Sequence, residues 1–510
     1  MRTTVAAVLM LCLCAMVAGC GDDSATGSSD AVQIPAVGPW NSGVALPAEP
    51  QSHGDPALGR NLLLGGDFMT CGIPFKLWSD TRFQGLISGG FGGPRNAPKI
   101  ADRPGKNADM PYFMNVFTSE NGAEVVNANC LLCHGGQING ELVIGLGNPA
   151  VDFTSGAGGG VGIPLGDDLL NLFGLDDAEK AQLRKTYQRA AVLGPLTNMR
   201  TVGMNPAEMF AVILMVHHDR DTLAWSEEEV TPLTIYDHDG SVMNNAEVRI
   251  TSDPPPWWRA YKKNALFYNG MARGDHRGSM AYATSVCVDD VDRAREVDEM
   301  FRHIQAYIRT LRPPAYPFAI DRELAGKGKD LFVQNCAGCH GTYSEDEAEE
   351  TYPNLLIPLP VIGTDPVVAN AGVVHAPQLV EWYNASFYGS VTRMVPNDPF
   401  PGYMPPPLDG IWATAPYLHN GSVPNIELVL NSSARPTYWK RVDYDTRHYD
   451  QQALGWPYIE LPYSQAEAAA SERKYIYDTT YFSQSNAGHT FGDHLTETER
   501  RAVIEYLKTL

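Results

Sequence analysis

Two pentapeptides constrain this chain more than anything else in it: CLLCH, with Cys130, Cys133 and His134, and CAGCH, with Cys336, Cys339 and His340. Two cysteines separated by two residues lie about one helical turn apart, so both sulfurs reach the vinyl groups along one edge of a porphyrin. The adjacent histidine is then held beneath the iron as its proximal ligand. From average cysteine and histidine usage, a chain of this size contains such a motif by chance roughly a few times in a thousand, and here there are two. Zinc is the competing chemistry, but a zinc site wants four convergent groups and the flanking sequence has no paired ligand spacing. The motifs predict two covalently bound haem c groups, held by Cys130, Cys133, Cys336 and Cys339, with His134 and His340 on the irons.

The N-terminus predicts the compartment. Arg2 gives a positive start, Val5 to Val17 form an apolar run too short for a comfortable membrane span, and VAGC ends at Cys20. This resembles a bacterial lipoprotein signal over residues 1–20, with Cys20 as the lipidated residue; the alternative is an ordinary secretory signal cleaved nearby. Either takes the chain out of the cytoplasm, and the lipoprotein reading places it on the periplasmic side of a membrane, at the outer membrane or at the cell surface, with membrane attachment only through a lipid anchor. Of the 9 cysteines, Cys71 and Cys287 remain after the signal and the motifs are counted, as candidates for a disulfide or as two separate buried thiols.

With 510 residues and 44% hydrophobic composition the chain can build more than one core. Its net charge of -21 repels phosphate backbones and anionic surfaces, so nucleic acid is not an expected partner. The polar stretch after Cys20 reads as a flexible linker over 21–50. A boundary falls at LRPPAYPF, where paired prolines stop a helical run. This gives an N-terminal haem domain at 51–314 and a C-terminal cytochrome c domain at 315–510.

Helices are expected at Leu175 to Ala191, Met300 to Leu311, Asp321 to Cys339 with a break before the second motif, and Thr496 to Leu510. In the last, Thr496 and Glu499 stand in capping-box spacing, and Ala502, Val503, Tyr506 and Leu507 form one apolar face. Strand signals are short, as at Glu247 to Thr251. The glycine-rich Gly135 to Gly166 reads as loop wrapped over a haem, and SEDEAEE (344–350) as a solvated acidic loop. The expected fold is mainly α with extensive loops, in two cytochrome c-like haem domains.

RELAGKGKDLFVQNCAGCHG resembles the first helix and haem motif of a class I cytochrome c. VIGTDP (361–366), PLDGIWATAPYLHNGSVPNIELVL (407–430), NAGHTFGDHLTETER (486–500), CGIPF (71–75) and PPPWWRAYKKNALFYNGMARGDH (254–276) are similar to the bacterial di-haem cytochrome c peroxidase superfamily. They are more similar to its branch of di-haem rubber oxygenases. The resemblance implies a reactive first haem and an electron-relaying second haem, whose distal ligand is sought among His489, His419 and Met404. His489 leads because a preceding glycine permits close approach, and Met404 trails because its prolines suggest a surface turn.

Peroxide cleavage needs a distal base and a charge-stabilising group. LFYNGMAR departs from the peroxidase pattern, with Tyr268 and Asn269 in place of tryptophan and aspartate, and with Asp289 or Asp290 near the position of the expected glutamate. Trp257 and Trp258 offer an aromatic wall suited to dioxygen or an organic substrate, or plain core packing. Arg273, Asp275 and His276 are distal candidates or a surface turn, and at least one of His217 and His218 reads as a helix-end residue rather than a ligand. The expected function is an exported di-haem oxidoreductase acting on peroxide or on dioxygen plus an organic substrate. It would be served by a redox partner protein or a small-molecule electron donor; the alternative is a di-haem electron-transfer cytochrome that binds no substrate.

Overall fold

Single acidic or hydroxyl side chains open the principal helices by accepting backbone N–H groups that the first turn leaves unpaired. Asp55 opens Pro56–Gly65, accepting from Ala57 N at 2.8 Å. Asp176 and Glu179 form a capping box ahead of Asp177–Thr197. Asp290 caps Val291–Ile308, Asp321 caps Arg322–Asn335, and Thr496 with Glu499 caps Glu497–Leu507. The computed structural model describes residues 33–84, 97–156, 166–245 and 247–510. The signal segment, Cys20, linker residues 21–32 and glycine-rich residues 157–165 lie outside it.

Two helix pairs set the frame, and in both a glycine removes the side chain that would hold the backbones apart. A Cβ on Gly59 would fall 1.9 Å from the His303 carbonyl oxygen, seating Pro56–Gly65 directly on Val291–Ile308. A Cβ on Gly328 would likewise fall 1.9 Å from the Ala502 oxygen, seating Arg322–Asn335 on the closing helix Glu497–Leu507. The second crossing buries Phe332 against Tyr506, with ring centroids 5.2 Å apart. Ala502, Val503, Tyr506 and Leu507 are all buried.

The strands are short and antiparallel. Three sheets have three strands each: Val44–Ala45 with Leu355–Pro358 and Gly402–Tyr403; Ile73–Pro74 with Glu124–Ala128 and Met114–Thr118; and Tyr458–Glu460 with Tyr438–Arg441 and Ile476–Asp478. Two ribbons complete the described set: Gly135–Ile138 with Glu141–Ile144, and Ala272–Gly274 with Thr392–Met394. The first sheet and the last ribbon join the two halves of the chain, and Ile34–Leu510 forms one compact unit. One hydrophobic core runs from Leu63 to Ile308 and also takes in Val367, Trp382, Tyr388 and Tyr403. A second gathers Trp258, Phe332, Trp412, Trp456 and the closing helix. Cys71 and Cys287 are joined in a disulfide.

Several expectations change. The helix expected from Met300 begins at Val291 and ends at Ile308. The charged VDRAREVDEM masks a buried series at Ala294, Val297, Phe301, Ile304 and Ile308 that keeps helical spacing. Asp177–Thr197 outlasts the expected Ala191 and carries Pro195 in its last turn. Glu247 to Thr251 forms no strand; the Thr251 N–H is donated to Ser483 Oγ at 2.9 Å, so a side chain takes the place of a ladder. Residues 34–50, within the expected linker, carry a 3-10 turn and a strand. Trp40 from that turn lies against Gly338 of the second motif, where a Cβ would fall 2.1 Å from its ring. The acidic run is not simply solvated: Glu350 and Asp409 both pair with Lys262 at 2.6 Å, with all three side chains under 15% exposed.

Candidate functional site

The second motif lies on a one-turn helix, Ala337–His340, that follows Arg322–Asn335 after a break at Cys336. The helix places His340 against the Pro405–Pro407 run, and its Nδ1 lies 2.8 Å from the Pro406 carbonyl. A carbonyl can only accept, so Nδ1 carries the proton and Nε2 is left with a free lone pair, the form of imidazole that ligates a metal. Burial pushes the pKa of His340 down to about 4 and keeps the ring neutral. Burial also pushes the thiols of Cys336 and Cys339 up to about 12, and all four motif cysteines are free of disulfides.

Across an apolar cavity from His340 stands His489, their ring centroids 6.3 Å apart and their planes at 57°. His489 is held by its own backbone: its φ is +46°, its N–H is donated to the Ile362 carbonyl at 2.8 Å, and its carbonyl accepts from Arg435. Close approach is secured by Gly488, whose Cβ would fall 2.1 Å from the backbone of Gly363. Burial, then the neighbouring His340 and Arg435, lower the pKa of His489 to about 4. Its Nδ1 is buried without a hydrogen bond of ordinary geometry, the Val429 carbonyl being the least of its influences. A metal ion bonded to one nitrogen of each of two facing imidazoles, at about 2 Å apiece, holds the ring centres about 6 Å apart. The residues around the second motif therefore fit a covalently attached haem with histidine on both faces.

His419 and Met404 line the same cavity but are engaged elsewhere. The Tyr403 hydroxyl donates to the Asp365 carbonyl at 2.6 Å, so toward His419, 3.0 Å away, it acts as acceptor and Nε2 carries the proton. The two rings also stack at 4.2 Å. Met404 is 2% exposed and packs with Leu46, Ala265 and Leu356, so the prolines after it do not make a surface turn. Their work is to aim the Pro406 carbonyl at His340.

At the first motif, the Asn129 side chain accepts from Leu131 N at 2.8 Å and starts the turn Leu131–His134. Asn129 is fixed in turn by Asn115 and the Tyr112 carbonyl, and Asn115 is held by buried Arg103. Burial pushes Cys130 up to about 12 and Cys133 to about 11. His134 stacks on Trp257, with centroids 4.8 Å apart and planes at 26°. Burial lowers its pKa to about 4 against a pull from the Pro255 carbonyl, and Nδ1 has no hydrogen bond of ordinary geometry. Among the described residues no three His, Cys, Asp or Glu side chains converge as metal ligands, so neither motif is arranged as a zinc site.

The tryptophan pair divides between the motifs. Trp257 lies on His134, while Trp258, wholly buried in the second core, donates to the Asp409 carbonyl at 2.8 Å, three residues beyond Pro406. Arg273, Asp275 and His276 tie chain segments together. Arg273 donates to the Gly270 and Asp398 carbonyls, Asp275 accepts from Ser52 N, and the His276 N–H is donated to Gln51. Asp289 pairs with Lys185 and Arg189, and Asp290 is a helix cap. His217 and His218 close the helix Ala207–Val216 and bond to the carbonyls of Ser226, Leu214 and Val288.

Three acids in apolar surroundings lacked a sequence pattern: Asp365 is buried, and Glu208 and Asp253 are half-buried. Glu208, bonded to Ser252 Oγ at 2.8 Å, is pushed up to about 7 by burial. Asp253 is raised well above the carboxylate range and Asp365 is raised, both by burial. The available signal was a lone acid in an apolar setting: Glu208 opens AEMFAVILMV and Asp253 precedes three prolines.

Residues 402–440 match a family described as RoxA-like, cytochrome c-like. That stretch includes Tyr403, Met404, Pro406, Leu408 and His419, a wall of the second-motif cavity, and it supports a haem cytochrome with covalently bound haem c. Two proteins of Sinorhizobium fredii are similar to this chain and are both named as uncharacterized. One, y4iJ, is 32% identical over 262 residues, which is 39% of this chain and 41% of that protein. The other, y4iM, is 33% identical over 166 residues, 28% of this chain and 36% of that protein. The matched region spans less than half of either relative.

Proposed function

We propose that this chain is an exported di-haem c-type cytochrome oxidoreductase, with a reactive haem on His134 and an electron-relaying haem on His340 and His489. The observation that carries the reading is the asymmetry between the motifs. His340 has a second imidazole 6.3 Å away across its cavity, whereas the ring neighbour of His134 is Trp257. Bound haem supplies a redox-active iron; two protein ligands suit relay and an open position suits reaction.

The chain's own residues do the rest. The Pro406 carbonyl fixes the tautomer of His340, and the positive φ of His489 aims its ring back into the cavity. Trp257 and Trp258, adjacent in sequence, reach from His134 to the Asp409 carbonyl and so join the two motifs through aromatic side chains. Glu208, bonded to Ser252 and raised by desolvation to about 7, holds a proton near neutrality. Peroxide, or dioxygen with an organic substrate, is the proposed oxidant. A partner protein or small molecule is the proposed electron donor.

The disulfide between Cys71 and Cys287 supports an oxidising compartment and hence export. Lipidation at Cys20 and domain limits at residues 314–315 belong to the same proposal. No helix among the described residues is long and apolar enough to cross a membrane. Optical and spin-resonance spectra of the purified protein test the function. One low-spin iron and one that binds oxygen or peroxide are expected; two low-spin irons inert to both would leave a plain electron-transfer cytochrome.

A further inference from the structure

The cavity around the second motif contains a buried positive charge that the cysteines and histidines leave unexplained. Arg259 ends the 3-10 turn Trp257–Arg259, is 6% exposed, and lines the same cavity as Cys336, Cys339, His340 and His489. Its Nε donates to the Asp409 carbonyl at 3.1 Å, an oxygen that also accepts from Trp258. The Asp409 carboxylate itself is turned to Lys262. One terminal guanidinium nitrogen, Nη2, is buried with no hydrogen-bond partner, and no carboxylate among the described residues lies within ion-pair distance of Arg259.

Arginine cannot shed its proton to escape this cost, and buried charges persist in proteins where they are paired. Asp409 and Asp253 act on the guanidinium through space but neither forms an ion pair with it, so its free Nη2 is open to an anion that enters the cavity. A haem joined to Cys336 and Cys339 along one edge carries two propionate carboxylates at its periphery, and a guanidinium is the planar donor that matches a carboxylate. We propose that Arg259 binds a propionate of the haem attached at the second motif and, as a positive charge in a low-dielectric site, biases that iron toward its reduced state. The inference rests on the di-haem reading above. It makes a residue of the first half of the chain part of the second haem's site, which no motif near Cys336 announces.

The test uses the full-length holoprotein with Arg259→Met and Arg259→Lys, after haem-staining and intact mass have shown two covalent haems in the wild type. The readouts are the propionate bending bands in the resonance Raman spectrum and the midpoint potential of the low-spin haem. For Arg259→Met, one propionate band shifts and the reduction equilibrium constant falls about tenfold, which is about 59 mV for a one-electron couple. Arg259→Lys, which keeps the charge but loses the fork, shifts the band with a smaller fall in potential. Unchanged bands and midpoint in Arg259→Met with both haems attached would overturn the proposal. If that variant does not fold, an unshifted propionate band in Arg259→Lys overturns it equally. A wild type without a haem at Cys336 and Cys339 would instead refute the di-haem reading, and the proposal with it.

Discussion

Replacing Gly328 by alanine tests the packing that carries the second motif. The new Cβ would fall 1.9 Å from the Ala502 carbonyl oxygen and 3.0 Å from Tyr506 Cβ. An ordinary carbon–oxygen contact is about 3.3 Å or more, so the two helices must part by more than about 1 Å. The moving partner is rigid backbone, and the parting loosens Phe332 against Tyr506. Overpacking of this kind costs about 1–3 kcal/mol, offset by about 0.5–1 kcal/mol for removing a glycine from a helix interior. The net expectation is a loss of about 1–2 kcal/mol. Gly326, two residues earlier on the same helix, has nothing within 4 Å of its Cβ position. Gly326→Ala should therefore stabilise by about 0.5–1 kcal/mol. Urea unfolding followed by tryptophan fluorescence and by haem absorbance measures both. Equal midpoints for the two variants, or a more stable Gly328→Ala, would refute the close crossing of these helices.

Three further predictions concern the sites and their support. His489→Ala should leave two covalent haems but convert the low-spin iron to high spin; an unchanged low-spin signal would show that another residue is the ligand. Cys71→Ser with Cys287→Ser opens a link across a sequence separation of 216 and should cost about 2–5 kcal/mol in urea unfolding. Glu208, raised by burial from its ordinary 4.5 to about 7, binds its proton more tightly folded than unfolded. Its contribution to stability is complete below about pH 4.5 and is lost as pH rises to about 7 and beyond, some 3 kcal/mol in all. Glu208→Gln should flatten that part of the stability–pH profile, and an unchanged slope would mean that the carboxyl is not buried as described.

Much of the local structure was legible because its cause is local. The Thr496–Glu499 capping box, the helix break before Cys336 and the apolar face of the closing helix depend on neighbours in sequence, and each was expected. The early start of Val291–Ile308 was not, because a surface helix spends its exposed positions on charge and hides its buried series. Arg273, Asp275 and His276 read as pocket candidates because their chemistry is catalytic in type; beyond the local bond from Arg273 to Gly270, the structure engages them in binding Gln51, Ser52, Val391 and Asp398. Nothing within a few residues of them could have revealed partners more than a hundred positions away.

By itself the sequence determined two cysteine pairs, each followed by a histidine, at a spacing that suits covalent attachment of a cofactor, since that chemistry needs only one helical turn. It left the second ligand open among His489, His419 and Met404. Only the tertiary structure sets His489 opposite His340, spends His419 on Tyr403, buries Met404, and brings Arg259 from the other half of the chain into the same cavity. The physical reason is that a ligand pair or an ion pair is chosen by distance and free lone pairs or protons in space. Those are fixed by helix crossings, strand pairings and backbone hydrogen bonds between segments that the sequence holds far apart.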